Sequence, residues 1–192
     1  MGPGAKAAKP KVSPGTAGVS TRVPEYKLTL AVSLKLRDEL TARGYNVFMV
    51  RETDDVNISN KERAEMASGI GADVFVRIHA DAHKNSSVNG ILVLSPAENN
   101  PYIPELYDSS YALSKYILDA MVAETGAKNR GVSEVDNMSG INWSTIPVTL
   151  AEMGLMTNPA EDRLMQTEAY QLKLAIGIAN GIDNYFFNMK HR

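Results

Sequence analysis

The sequence predicts an α/β fold, a twisted and mostly parallel sheet with helices on both faces. Three observations predict it. Short β-branched runs such as DVFVRIHA (73–80) and NGILVLS (89–95) alternate with longer segments of helical periodicity. The chain has 192 residues, which suits one domain with a full hydrophobic core. Its composition, 44% hydrophobic and 22% charged, is that of an ordinary globular protein, and no run approaches the length of a membrane span.

Residues 1–24 are rich in Gly, Pro, Ala, Ser and Thr and are expected to form a loop or disordered arm. The lysines there are not followed by an apolar stretch, so no signal peptide is read. After Pro24, Leu28, Val32, Leu36 and Leu40 recur every four residues with charges on the other face, and Gly44 is placed to stop that helix. YNVFMV (45–50) is expected as a buried strand. In SNKERAEMASGIGAD, Ser59 and Glu62 have the spacing of a capping box, which marks the start of a second helix. The strands 73–80 and 89–95 follow.

Leu106, Leu113, Ile117 and Met121 keep helical spacing through about 103–125. IPVTLAEMG (146–154) is a further strand, after which Asn158 is a natural N-cap and Pro159 a natural first helical residue. Leu172, Ile176, Ile178 and Ile182 carry a last helix near 168–187, and 189–192 form a tail. The catalytic or binding domain is therefore placed at 25–188, with no internal repeat.

The chain has no cysteine, which excludes disulfides and thiolate metal sites. A formal net charge of −2 argues against a nucleic-acid partner held by phosphate electrostatics. Chemistry must come from histidine and carboxylates. His79 stands where a strand gives way to polar residues, and Glu152 lies near the end of another strand. Sites of open α/β sheets gather at such carboxyl ends.

An ionised Glu152 amid VTLAEMGLMTN needs a partner, a nearby cation or a raised pKa. The plainer alternatives are a hydrogen-bonded structural His79 and a salt bridge from Glu152 to Arg77 or Arg51. Glu25 opens the first helix, where a carboxylate also favours the helix dipole. One His and two Glu are a usable set for zinc and a base. His83 is four residues from His79, a spacing that aligns side chains only in a helix, so it reads as a solvated loop residue; His191 reads as tail. Arg51 and Arg63 read as structural, and Met153, Met156 and Met165 as core fillers. Trp143 is either packed or available to stack on sugar or peptide, and NNPYIPELYDSSY is a possible wall of a substrate groove.

Four segments together carry a resemblance: VPEYKLTLAVSLKLRDELTARGYNVFMVRETD, NKERAEMASGIGADVFVRIHADA, NGILVLS and IPVTLAEMGLMTNPAEDRLM. Over about residues 22–187 they resemble the zinc-dependent N-acetylmuramoyl-L-alanine amidases, especially clostridial cell-wall enzymes and phage endolysins. The resemblance implies a peptidoglycan hydrolase that acts on the bacterial cell wall, with glycan–peptide strands as partner and Zn2+ as cofactor. The bond cut would be the amide between the lactyl group of N-acetylmuramic acid and L-alanine. Glu25 in VPEYKL and His79 in VRIHADA match zinc ligands, and Glu152 in LAEMGLMTN matches the catalytic glutamate, a general base. Asp81 stands where the family usually has Asn.

The family's first zinc ligand is a histidine in an Asp-Pro-Gly-His segment that ends its first strand, and this sequence contains no such segment. The first strand and one ligand are therefore expected to be missing, with weakened activity and a sheet prone to associate. The alternative function is a non-catalytic peptidoglycan-binding relative with an incomplete metal site. A nucleotide-binding reading fails because no strand precedes GPG or SPGTAG.

Overall fold

The computed structural model describes residues 3–4, 11–12 and 15–190; the rest of the N-terminal arm and His191 lie outside the described residues. Helix α1 (Glu25–Ala42) buries Leu28, Val32, Leu36 and Leu40, the four-residue repeat seen in the sequence. Gly44, at φ +88°, turns the chain out of it. Helix α2 (Asn60–Gly69) starts on the expected capping box: the Glu62 N–H donates to Ser59 Oγ and the Ser59 N–H to Glu62 Oε2. The elements β1 (Phe75–Asp81), β2 (Ile91–Pro96), α3 (Tyr107–Thr125), β3 (Asn129–Val135), α4 (Ser139–Asn142), β4 (Val148–Leu155), α5 (Pro159–Met165) and α6 (Glu168–Met189) follow. Asn158 caps α5 through the N–H groups of Ala160 and Glu161. No helix among the described residues is long and apolar enough to cross a membrane.

The sheet runs β1-β4-β2-β3. β1 pairs parallel with β4 and β2 parallel with β3, while β2 and β4 run antiparallel. One face packs against α1, α3 and α6 through residues such as Val32, Ile117, Met153 and Ile178. The other packs Phe75, Val148 and Leu150 against Ala64 and Ala67 of α2 and Ile141 of α4. Each such large side chain removed from water contributes about 1.5–3 kcal/mol. Helices α3 and α6 approach closely because α6 offers glycines: a Cβ on Gly181 would run into the backbone of Ile117, and one on Gly177 into that of Met121. Met153, Met156 and Met165 are fully buried, as expected of core fillers.

The strand expected at 45–50 is not formed. The Tyr45 N–H folds back to Leu40 O at 3.0 Å, and residues 46–50 have no backbone partner among the described residues. Among the described residues the segment has no neighbouring strand to pair with. The segment faces a cavity of about 820 Å³ whose other wall is β1. Two elements were not expected. β3 is polar along most of its length and breaks its own alternation at Gly131, and α4 is a single turn.

The loop before α1 is tied down from a distance. Asp162, buried on α5, accepts from the N–H of Ser20 at 2.7 Å, the N–H of Thr21 at 2.8 Å and the hydroxyl of Thr21 at 2.6 Å. A bridge between Ala17 and Pro24 closes the loop and delivers Glu25 to the edge of β1.

Candidate active site

Glu25 is the first residue of α1, and its side chain is laid against the open edge of β1. Its Oε1 is 2.9 Å from His79 Nδ1 and accepts from the Ala80 N–H at 3.4 Å, while its Oε2 accepts from the Thr16 N–H at 2.9 Å. Burial pushes this carboxyl up. The hydrogen bond and charge of His79 and the N–H groups of Thr16 and Ala80 outweigh that and hold it below the ordinary carboxylate range. For His79 the balance goes the other way. Burial lowers its pKa, Arg77 and Arg63 add to the effect, and Glu25 opposes it, so the imidazole is held towards its neutral form.

Glu152 stands beside this pair. In the parallel β1–β4 ladder His79 is the register partner of Glu152, and register partners project from the same face of a sheet. The three sequence candidates are thus brought together, two by direct contact and the third by register. Glu152 forms neither of the salt bridges open to it from the sequence. Arg77 donates instead to Gly140 O and Asn60 Oδ1, and Arg51 to the backbone oxygens of Tyr26 and Thr53. Glu152 Oε2 is buried without a hydrogen-bond partner among the described residues. Burial first, then the charges of Asp81 and Glu25, push its pKa up to about 8, and Arg130 opposes them. A carboxyl in that condition exchanges a proton near neutral pH.

Sequence reasoning missed two neighbours. Asp81 accepts from Arg130 Nη1 at 2.8 Å, an ion pair that bears on Glu152 from both signs of charge. Arg130 belongs to β3, whose polar sequence gave no strand signal. Asp81 was visible only as a departure from the pattern HA-Asn. The remaining candidates stay outside. His83 is exposed, with its N–H on Thr157 Oγ1. Trp143 is half-buried, with the Lys61 ammonium 4.7 Å from the centre of its ring. Tyr107 and Tyr111 lie against one another on α3 at a ring separation of 5.7 Å.

A catalytic zinc takes three protein ligands and an open position. Glu25 and His79 are two donors, already in contact with each other. Among the described residues no group of three or more His, Asp and Glu could hold a metal ion. The residues present fall one donor short of such a site.

Comparison with known proteins bears on the family and the fold. The sequence profile of the N-acetylmuramoyl-L-alanine amidases matches residues 6–184. The uncharacterized protein YqiI of Bacillus subtilis (strain 168) is 34% identical over 164 residues, covering 84% of this chain and 74% of its own. The catalytic domain of CwlV, an N-acetylmuramoyl-L-alanine amidase from Bacillus (Paenibacillus) polymyxa var. colistinus, superposes with a TM-score of 0.80 at 29% identity, over 97% of this chain and 94% of that one. The N-acetylmuramoyl-L-alanine amidase from Clostridium difficile 630 does so with a TM-score of 0.81 at 29% identity, over 91% and 90%.

Proposed function

The chain belongs to the N-acetylmuramoyl-L-alanine amidase family, and from that premise we propose that it acts on bacterial peptidoglycan at the amide between the lactyl group of N-acetylmuramic acid and L-alanine. Glu152 is the general base, and Glu25 and His79 are two ligands of a Zn2+ ion. The observation that carries the reading is the buried Glu152 Oε2, without a hydrogen-bond partner among the described residues, beside the His79–Glu25 pair. In its ionised form Glu152 takes a proton from attacking water; in its protonated form it returns one to the leaving amine of L-alanine. A pKa of about 8 makes both forms available near neutral pH. His79 and Glu25 fix one wall of the site, and the Thr16 and Ala80 N–H groups keep Glu25 ionised. Because two donors do not complete a zinc site, no step here passes through the metal.

The test is digestion of purified cell walls, with mass spectrometry of the released peptides. Free L-alanine amino termini are expected from the wild type, and Glu152→Gln should release them at least about a hundredfold more slowly, the scale of a lost general base. Equal release by both would remove Glu152 from the chemistry. Titration of zinc by calorimetry should show binding that His79→Ala abolishes.

The shortfall in donors favours one second reading, a relative that holds glycan–peptide strands without cutting them. It is distinguished by a chain that sediments with insoluble peptidoglycan and releases no peptide.

A further inference from the structure

We propose that Arg130 and Asp81 form a subsite for the departing peptide, which takes an α-carboxamide on the residue after L-alanine (D-isoglutamine) in preference to an α-carboxylate at the same place (D-glutamate). The proposal rests on the amide-cleavage reading for where the peptide lies, and it names which stem peptides the site selects.

The backbone aims Arg130 at the site. His79, Glu152 and Leu92 are register partners across β1, β4 and β2, so they project from one face of the sheet. On β3 the register shifts. Ile91 pairs with Asn129 and Val93 with Val132, which leaves Arg130 and Gly131 together opposite Leu92. Val93 and Val132 pack into the main core on the other face. Gly131 stands at φ +92°, and a Cβ on it would meet nothing within 4 Å, so glycine supplies the backbone angle and not space. A bulge of this kind re-aims a side chain. Here Arg130 leans back across the end of the sheet to Asp81 on β1, with Nη1 2.8 Å from Oδ2. Asp81 is held in turn by the Ala82 N–H, which donates to Oδ1 at 2.7 Å.

The pair is left open to a ligand. Its side chains are 18% and 24% exposed, and Nε and Nη2 of Arg130 have no partner among the described residues. The charges of both residues act on Glu152, as those of close neighbours do. Glu25 and His79 hold the side of Glu152 towards β1, which leaves the side towards β3 for the departing peptide. With the nitrogen of L-alanine at Glu152, two extended residues reach about 7 Å. From β4 to β3 is two strand spacings, about 10 Å, and the Arg130 side chain leans back over part of it. The residue after L-alanine therefore meets the pair.

The chemistry of the pair sets what that residue carries. Guanidinium N–H groups beside carboxylate lone pairs offer donors and acceptors side by side. A carboxamide is the complement, with an oxygen for Arg130 and an N–H for Asp81. A carboxylate brings oxygens alone. It would meet Asp81 with like charge, and the charge of Arg130 is already matched by Asp81.

The experiment titrates the 15N-labelled full chain with L-alanyl-D-isoglutamine and with L-alanyl-D-glutamate at pH 7, following the Arg130 Nε–H resonance. The two N-acetylmuramoyl dipeptides are also offered together as substrates. The amide dipeptide should move the Arg130 signal and bind at least about tenfold more tightly than the acid, the scale of one unsatisfied polar group. Asp81→Asn keeps the shape and removes the charge, and it should bring that ratio to one or invert it. Equal or tighter binding of the acid by the wild type would overturn the carboxamide. A ratio unchanged in folded Asp81→Asn would overturn the pair as its origin, and an Arg130 signal moved by neither dipeptide would overturn the subsite. Cleavage of neither muropeptide, with the binding ratio as expected, would leave the subsite standing and count against amide hydrolysis. The first ratio compares two ligands on one protein, so misfolding of a variant cannot mimic it.

Discussion

The sheet has two edges, and they are finished differently. At β3 the border is polar: Asn129 and Glu134 are exposed, Arg130 is turned to Asp81, and Gly131 at φ +92° breaks the run. Natural sheets end this way, because charge and irregularity discourage another strand from adding. At β1 the border is apolar. Val76 and Ile78 face core, a cavity of about 820 Å³ lies alongside, and among the described residues only Glu25 covers the backbone, at one end. One edge has the composition of a surface and the other that of an interior. The candidate site sits at the second, so the cost of holding its charged groups out of water falls where the sheet is least complete.

Glu152 gives the largest test of that contrast. Its folded pKa of about 8 stands above the ordinary 4.5, so between those values the folded state holds a proton that the unfolded state has released. Stability therefore falls as pH rises through this window, and below it both states are protonated and no penalty remains. Glu152→Gln should stabilise the metal-free chain by on the order of 3 kcal/mol at pH 7 and by almost nothing at pH 4, measured by urea unfolding with chelator present. An equal gain at both pH values would place its origin in packing and not in charge.

The same edge explains what the sequence could and could not reveal. Residues 45–50 have the apolar pattern of a strand and even keep the alternating burial of one, yet form none. β3 has almost no pattern and forms a full strand. Hydrophobic pattern reports the surroundings of side chains, whereas a strand exists only through the backbone of its neighbour. Helices satisfy their own backbone, and so α1, α2 and α6 were legible from Leu28–Leu40, the Ser59–Glu62 box and the apolar face around Ile178 and Ile182. At the site, Glu25, His79 and Glu152 were legible as residues that needed an explanation. Asp81 with Arg130 was not, because its partner came from the strand that left no signal.

Glu25→Gln should have the next effect. The substitution removes a charged acceptor shared by Thr16, Ala80 and His79, and a loss of about 1–2 kcal/mol is expected at pH 7. Glu25 is held below 4.5 in the folded state, so its contribution is present above that value and is lost as pH falls through the folded pKa. The variant should match the wild type in acid and fall behind it as the carboxylate ionises. His79 should titrate lower in the variant, since Glu25 is what raises it against burial and the arginines, and NMR of the imidazole reads that directly. A His79 pKa that does not move would mean that the 2.9 Å contact carries no charge coupling.

The polar edge supplies the smallest effect, and a small effect is the informative one. Glu134, on β3, accepts from the Glu98 N–H at 3.2 Å and the Tyr107 hydroxyl at 3.4 Å, both exposed. Glu134→Ala should change stability by less than about 0.5 kcal/mol, because water replaces each contact. Glu134→Val on the same strand should leave stability equally unaffected but make the edge adhesive, with association rising with concentration in analytical ultracentrifugation. If the valine variant stays as monodisperse as the wild type, charge is not what closes this border. The difference between the two edges then lies in the cavity beside β1 and not in their composition.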